Sequence, residues 1–319
     1  ADSIFIGHGV GPLAISGLAL TFPLMNLAAA FGSLVGVGAS TLVSVKLGQK
    51  DYEGANKVLG NVLVLNVVLG LAFTLVFMLL LDPILYFFGA SENTISYARD
   101  YMNVILIGNV ITHMYLGLNA VLRSSGFPKL AMYATLASVV INCVLNPLFI
   151  FGFGWGIKGS AWATVISQVI SLTGQLIHFS RPKSFIRFQK GIFKVRWHIV
   201  GGMLAIGLSP FLMNLCACLI VILINRGLKE HGGDMAIGAY GIVNRVVFLF
   251  IMIIMGFNQG MQPIAGYNFG ARQYSRVTEV TKLTMKWAIG VATTGFLLCQ
   301  LFPSVIVRMF TTDPELIEA

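Results

Sequence analysis

Residues 142–168 read NCVLNPLFIFGFGWGIKGSAWATVISQ and decide how the rest of the chain is interpreted. Asn142 and Asn146 are four residues apart, so their two amides share one face of a helix. Pro147 has no backbone N–H and cannot bond the carbonyl of Cys143, which leaves that oxygen free beside both amides. The surrounding run is strongly apolar, and polar side chains in such a run usually face a cavity or another helix.

The composition is that of an integral membrane protein. Of the 319 residues, 56% are hydrophobic and 10% are charged, and the mean hydropathy is +0.83, whereas soluble domains carry about 25% charged residues. The apolar blocks are about 20 residues or longer, enough for an α-helix to cross a hydrocarbon layer roughly 30 Å thick. About eight complete spans are predicted after a helix tail at 2–7, namely 13–45, 56–82, 99–123, 131–154, 161–180, 198–226, 236–263 and 280–304.

The net charge of +9 reflects topology rather than nucleic-acid binding. Basic residues gather in alternate connections, at 46–57, 123–129, 181–196 and 272–286, which are therefore predicted to be cytoplasmic. The most basic connection, 178–198, interleaves aromatic with basic residues and is expected to lie on the lipid headgroups. The four cysteines lie in apolar spans without paired spacing and are predicted to be reduced core residues, with no metal or disulfide.

An internal repeat appears when the chain is shifted by 222 residues. Gly48 then meets Gly270, and Tyr52 meets Tyr274, while Phe88 meets Phe310. The span at 236–263 is the sixth after that at 13–45, so both have the same orientation and the repeat is parallel. We therefore predict an all-α membrane protein with two six-helix lobes, the first with its linker at 1–187 and the second at 188–319. The intact protein should have about twelve helices, most of one before Ala1 and three after Ala319 being absent from this chain.

One acidic residue stands out from the others. Every carboxylate except Asp2 falls in a predicted loop or helix end, whereas Asp2 is a candidate for membrane depth or, alternatively, a simple helix cap. Asn142, Asn146, Thr164 and the Cys143 carbonyl offer uncharged oxygens that suit a hard cation or a neighbouring carboxylate. Hydrogen bonding between helices is the alternative for these groups.

Four other polar residues are candidates for a substrate cavity: Asn119, Asn214, Asn244 and Arg245. Arg245 lies roughly 14 Å into its span, where it should line a cavity or pair with a carboxylate. Packing is the alternative for each residue of this set. Hydrolase, zinc-protease and phosphate-loop motifs are absent from the sequence, so no enzyme and no cofactor are predicted, and transport energy would come from an ion gradient or another subunit.

Several segments together resemble the multidrug and toxin extrusion (MATE) family, and in particular its bacterial DinF-like branch. They are DSIFIG at 2–7, KLGQKDYEGAN at 46–56, LRSSG at 122–126, NCVLNPLFIFG at 142–152, GIKGSAWAT at 156–164 and PIAGYNFGA at 263–271. The resemblance implies two lobes that alternate between outward-facing and inward-facing states in the bacterial plasma membrane. It also implies export of organic cations or drugs by a monomer, driven by inward flow of protons or sodium ions.

The resemblance assigns cation coupling to four residues. Asp2 matches the carboxylate near the end of the family's first helix, and Asn142, Asn146 and Thr164 match the polar positions around it. Relatives often have Asp where this chain has Asn146, so Asp2 becomes the main proton acceptor or sodium ligand. A lipid-linked oligosaccharide flippase of the same superfamily is the alternative function, although it would need several deep cations and Arg245 is the only one visible. A membrane-embedded enzyme or scaffold would not explain the duplicated lobes.

Overall fold

The computed structural model describes residues 2–182, 184–189 and 191–303, which are helical apart from short connections. They divide into two compact units, Ala1–Met213 and Asn214–Ala319. Ten α-helices and one π-helical turn occur in these ranges: α1 (Asp2–Gly9), α2 (Pro12–Gly48), α3 (Tyr52–Leu79), α4 (Leu81–Phe87), α5 (Ile95–Ile107), α6 (Asn109–Ser124), α7 (Pro128–Pro147), the π turn (Leu148–Gly152), α8 (Gly156–Ser180), α9 (Trp197–Gly270) and α10 (Tyr274–Leu301). The lobe boundary at residue 187 stays a prediction.

Fewer helices qualify as membrane spans than the sequence suggested. Within the described ranges, five are long and apolar enough, or six if the bent pair α5 and α6 forms one span. The five are Leu13–Gly48, Tyr52–Leu79, Pro128–Gly152, Trp197–Ala217 and Val246–Gly270. About eight spans were predicted because α8 and α10 are also long enough to cross a membrane. Neither is apolar enough, since α8 carries a row of Ser, Thr and Gln side chains and α10 begins with several charged residues.

The predicted loop between the spans 198–226 and 236–263 was wrong. The helical backbone of α9 continues from Trp197 to Gly270, and the two candidate spans occupy its ends. Glycine in a helix interior costs only about 1 kcal/mol, and Lys and Glu are good helix formers. Gly227, Lys229 and Glu230 therefore do not force a break in the helix.

The predicted span 99–123 is two helices, α5 and α6, that meet at Gly108 with a bend of 54°. Polar side chains serve backbone carbonyls at this bend: Thr74 Oγ1 donates to Leu106 O at 2.8 Å and Asn109 Nδ2 donates to Gly70 O at 3.3 Å. A Cβ atom on Gly108 would clash with Val165 Cγ2. Glycine therefore allows α8 to pack against the bend.

Two hydrophobic clusters form the core of the first unit. One joins α2, α3, α6, α8 and the start of α9 around residues such as Leu59, Leu118 and Phe179. The other joins α1, α2, α5 and α8 around residues such as Leu24 and Tyr101. Because α8 contributes side chains to both clusters, its central position brings its polar groups into the interior.

The connection after α8 packs partly against the core of the first unit and is partly exposed. Ile186 and Ile192 are buried, whereas Phe185, Phe193 and Trp197 are exposed. The apolar residues of this connection thus divide between the protein core and the surface. Its expected contact with lipid headgroups stays a prediction.

Two asparagines of α3 hold this connection by its backbone. Asn56 Oδ1 accepts from the Arg187 N–H at 2.8 Å, and Asn61 Oδ1 accepts from the Arg196 N–H at 2.9 Å. Asn61 Nδ2 in turn donates to the carbonyl of Lys194 at 3.3 Å. Both asparagines are buried and fix the backbone of the connection.

The turn between α2 and α3 recurs between α9 and α10. Lys50 has a φ of 60° and Arg272 a φ of 59°, and the two residues are related by the 222-residue shift. The same shift relates three backbone hydrogen bonds in each turn, namely Gln49 to Val45, Lys50 to Leu47 and Asp51 to Lys46, and Ala271 to Tyr267, Arg272 to Phe269 and Gln273 to Asn268. The same three bonds also end α4 at Gly89 and α6 at Gly126, so the feature that the two related turns share is a non-glycine residue with positive φ, and Lys50 and Arg272 are the only two such residues that the structure describes.

Candidate functional site

Asp2 accepts hydrogen bonds from side chains on three other helices. Asn146 Nδ2 on α7 donates to Asp2 Oδ1 at 3.0 Å. Tyr101 Oη on α5 and Thr164 Oγ1 on α8 both donate to Asp2 Oδ2, at 3.2 Å and 3.1 Å. Three neutral donors match a carboxylate, which can only accept when ionised. Asp2 therefore links α1 to α5, α7 and α8 rather than merely capping its own helix.

Asn142 supports the donors that contact Asp2. Its Nδ2 atom donates to Thr164 Oγ1 at 3.0 Å, while Asn146 Nδ2 lies 3.1 Å from both the backbone oxygen and Oδ1 of Asn142. This arrangement follows from the four-residue spacing, which stacks the two amides on one face of α7. The helix ends at Pro147 and continues as the π-helical turn, consistent with the hydrogen bond that proline removes.

The structure thus brings all four predicted coupling residues into one hydrogen-bonded group, here called the Asp2 cluster: Asp2, Asn142, Asn146 and Thr164, together with Tyr101. Their role in coupling stays a prediction. Tyr101 was missed because it falls at the predicted start of a span, beside Arg99 and Asp100, where the sequence gives no sign of the direction of its ring. Asn146 is fully buried, and its Oδ1 atom has no hydrogen-bond partner.

A cavity of about 380 Å³ adjoins the cluster, a size typical of small-molecule sites. It is lined by Asp2, Leu18, Phe22, Met25, Tyr101, Ser138, Val139, Asn142, Thr164, Ser167 and Gln168. The described lining residues therefore combine an apolar wall with neutral polar groups and one carboxylate, and no Lys or Arg is among them. Ser167 and Gln168 were missed as wall residues, although their spacing of three and four from Thr164 places them on the same helix face.

Of the predicted substrate-cavity residues, only Asn119 belongs to the first unit. Asn119 is buried and donates to Ala131 O at 3.0 Å and to Thr135 Oγ1 at 3.3 Å, so it joins α6 to α7. Asn214 and Asn244 are exposed on α9, and the side chain of Arg245 lies outside the described residues. A role in substrate binding stays a prediction for these four positions.

The oxygen atoms of the Asp2 cluster suit a hard cation. Carboxylate, amide and hydroxyl oxygens are the ligands that such cations prefer, and a proton could bind the same carboxylate. The residues that the structure describes contain no group of three or more His, Cys, Asp or Glu side chains that could hold a metal ion. Cys143, Cys216 and Cys299 are free thiols.

Comparisons with known proteins agree with this architecture. The MatE family model matches residues 1–148 and 205–319. The multidrug export protein MepA of Staphylococcus aureus (strain MSSA476) is 31% identical over 318 residues, covering 98% of this chain and 69% of MepA. A crystal structure of a MATE protein in the bent conformation superposes with a TM-score of 0.94 at 25% identity, covering 99% of this chain and 71% of that one.

A second solved structure is a MOP superfamily transporter from Pyrococcus furiosus Vc1, described as having a binding pocket of reverse polarity that suggests a different function. It superposes with a TM-score of 0.90 at 26% identity, covering 99% of this chain and 70% of that one. The family model covers most of this chain, and the identity to MepA extends over nearly all of it. This chain therefore belongs to the MATE family and is a multi-pass membrane transporter, not an enzyme.

Proposed function

We propose that this protein is a secondary active antiporter that exports organic cations or drugs in exchange for protons or sodium ions by alternating access. The observation that carries this proposal is the surroundings of Asp2, a single carboxylate at a cavity where none of the described lining residues is basic. Among the residues that the structure describes, no Lys or Arg forms an ion pair with Asp2. A carboxylate without a basic partner attracts cations and can be neutralised by a proton or a sodium ion.

Neutralisation of Asp2 would act on several helices at once. Tyr101, Asn146 and Thr164 donate to the carboxylate from three different helices. Hydrogen bonds to a charged group are stronger than those to a neutral one, so binding of the coupling cation weakens the links from α1 to all three. A ligand shifts a conformational equilibrium only through such a difference in interaction energy between two states. The Asp2 cluster supplies this difference between outward-facing and inward-facing arrangements.

The wider proposal follows the family. Export of drugs is supported by the relative MepA, which is a multidrug export protein. Two six-helix lobes are supported by the repeated turn around Lys50 and Arg272. We further propose a place in the DinF-like branch, a monomeric state and a bacterial plasma membrane location.

Asp2→Asn tests the function directly. In the whole protein reconstituted in proteoliposomes, ethidium efflux is measured under imposed proton gradients and then sodium gradients. Asp2→Asn should abolish gradient-driven efflux while leaving membrane insertion intact. Asp51→Asn is the matched control, because Asp51 lies away from the cavity beside Asp2: it caps α3 by accepting from the Gly54 N–H at 2.8 Å and pairs with Lys46 at 2.9 Å, and Asn caps helices equally well.

Normal efflux by Asp2→Asn would exclude Asp2 as the coupling group. Efflux with only one of the two gradients would identify the coupling ion. Transfer of a lipid-linked oligosaccharide by the wild-type protein, without ethidium efflux, would favour the flippase instead. The cavity makes that outcome unexpected, since its described lining residues offer no cation to a pyrophosphate.

A further inference from the structure

Polar side chains continue along α8 from the Asp2 cluster toward the connection at 181–196. After Thr164, the same helix face carries Ser167, Gln168, Ser171, Gln175 and His178, at spacings of three and four residues. The distance from Thr164 to His178 is about 21 Å at 1.5 Å per residue. We call the portion from Gln168 to His178 the α8 seam.

The side chains in the middle of the seam are buried and lack partners. Ser171 is 5% exposed and Gln175 is 1% exposed. The Ser171 hydroxyl, both amide atoms of Gln175 and Nε2 of His178 have no hydrogen-bond partner among the residues that the structure describes. An unsatisfied buried polar group costs about 1–3 kcal/mol, and native proteins usually satisfy such groups with water or a ligand. Unsatisfied polar groups on consecutive turns of α8 therefore indicate that water or a ligand lies along this face of the helix.

The helix opposite the seam is α7. Asn142 Nδ2 lies 3.0 Å from Thr164 Oγ1, the hydroxyls of Ser138 and Ser167 are 3.5 Å apart, and the rings of Phe127 and His178 are 4.6 Å apart between centroids. These contacts define one antiparallel register between α7 and α8.

That register places Ser171 and Gln175 level with Thr135 and Ala131 of α7. Asn119 of α6 donates to the Ala131 carbonyl and to the Thr135 hydroxyl. At the other end of the seam, Thr112 of α6 donates to Gln168 Oε1 at 2.6 Å. The helix α6 thus bonds to the seam at Gln168 and to the part of α7 that is level with Ser171 and Gln175.

We propose that the α8 seam holds a file of water molecules through which the coupling cation passes between the Asp2 cluster and the end of α8 beside the basic connection 181–196. This inference rests on the proposed exchange of drugs for protons or sodium ions. Ser171 and Gln175 supply hydroxyl and amide groups to the water, and Gln168 joins the seam to the cavity beside Asp2.

Thiol accessibility tests whether the seam contains water. Ser171→Cys is introduced into the whole protein after its native cysteines are replaced by alanine, and a charged, membrane-impermeant thiol reagent is added on the side of the 181–196 connection. Thr173→Cys is the matched control, since Thr173 is exposed on the opposite face of α8 and its hydroxyl bonds to the Val169 carbonyl. We expect the Ser171→Cys variant to react at least tenfold faster, and equal rates would overturn the proposal.

Transport tests whether the water carries the cation. Gln175→Leu keeps a similar volume but removes the amide, and it should slow gradient-driven ethidium efflux at least tenfold. Ethidium affinity without a gradient should change less than twofold, and Thr173→Val should transport normally. Normal efflux by Gln175→Leu would overturn the path even if the seam proves accessible to the reagent.

The two proposals can fail separately. Unchanged efflux in Asp2→Asn would refute the coupling mechanism without affecting the reagent test, which needs no exchange. If Gln175→Leu does not fold, slow reaction of the Ser171→Cys variant would still refute the seam. If it folds, loss of efflux together with a fast-reacting Ser171→Cys variant would support it.

Discussion

The Asp2 cluster and the α8 seam contain the same kinds of residue but differ in how their polar groups are partnered. In the cluster, Tyr101, Asn142 and Thr164 bond to one another or to Asp2. In the seam, Gln168 bonds to Thr112, but Ser171 and Gln175 have no partner among the described residues. A fixed charge requires permanent donors, because its desolvation is costly. A neutral polar group costs much less free energy to bury without a protein partner, so it can bind water or a passing cation instead. The first arrangement suits binding and the second suits passage.

Among substitutions of the residues that donate to Asp2, Thr164→Val should have the largest effect on efflux. The substitution removes a donor to Asp2 and also the acceptor of Asn142 Nδ2. A hydrogen bond to a charged group contributes about 1.5–3 kcal/mol, so the ionised carboxylate becomes less stable and release of the coupling cation becomes less favourable. Efflux driven by the preferred gradient should fall about tenfold to hundredfold.

Thr164→Ser is the control, because it retains the hydroxyl and should restore efflux to near the wild-type rate. Efflux of Thr164→Val equal to that of the wild type would mean that the cluster only joins helices. The distinction between the cluster and the seam would then disappear.

Tyr101→Phe should have an intermediate effect. Its hydroxyl lies 3.2 Å from Asp2 Oδ2, an oxygen that Thr164 also serves. Loss of one of two donors at the lower end of the range for a bond to a charged group, about 1.5 kcal/mol, predicts about a tenfold decrease in efflux. Tyr86→Phe is the matched control, since Tyr86 is half exposed on α4. A Tyr101→Phe protein as defective as Thr164→Val would show that the tyrosine is an equal partner in the cluster.

The sequence predicted the Asp2 cluster better than the fold around it. The spacing of Asn142 and Asn146 determines a shared helix face, and the carboxylate inventory left only Asp2 for those amides to serve. Tyr101 could not be predicted, because its ring reaches Asp2 only as a result of how α5 packs against α1. Such a contact depends on tertiary packing and has no periodic signal.

The errors in the fold have related causes. The bend at Gly108 depends on the close approach of Val165, which no local pattern reveals. The uninterrupted α9 shows that glycines and charges near residue 230 permit a loop without requiring one. Conversely, the turns at Lys50 and Arg272 were predictable from the repeat, because local backbone hydrogen bonds define both.

Ser171→Ala should have the smallest effect, a change of less than about 1 kcal/mol in the free energy of unfolding, and it distinguishes a hydrated seam from a dry one. If the seam were dry, removal of an unsatisfied hydroxyl would raise the free energy of unfolding by about 1–3 kcal/mol. In a hydrated seam, water already satisfies the hydroxyl, so the change should be below about 1 kcal/mol. The measurement is thermal unfolding of the purified protein in detergent, with Thr173→Val as the reference for loss of a hydroxyl that bonds within its own helix. Clear stabilisation by Ser171→Ala would indicate a dry seam, in which the unpartnered groups are a packing cost rather than a path.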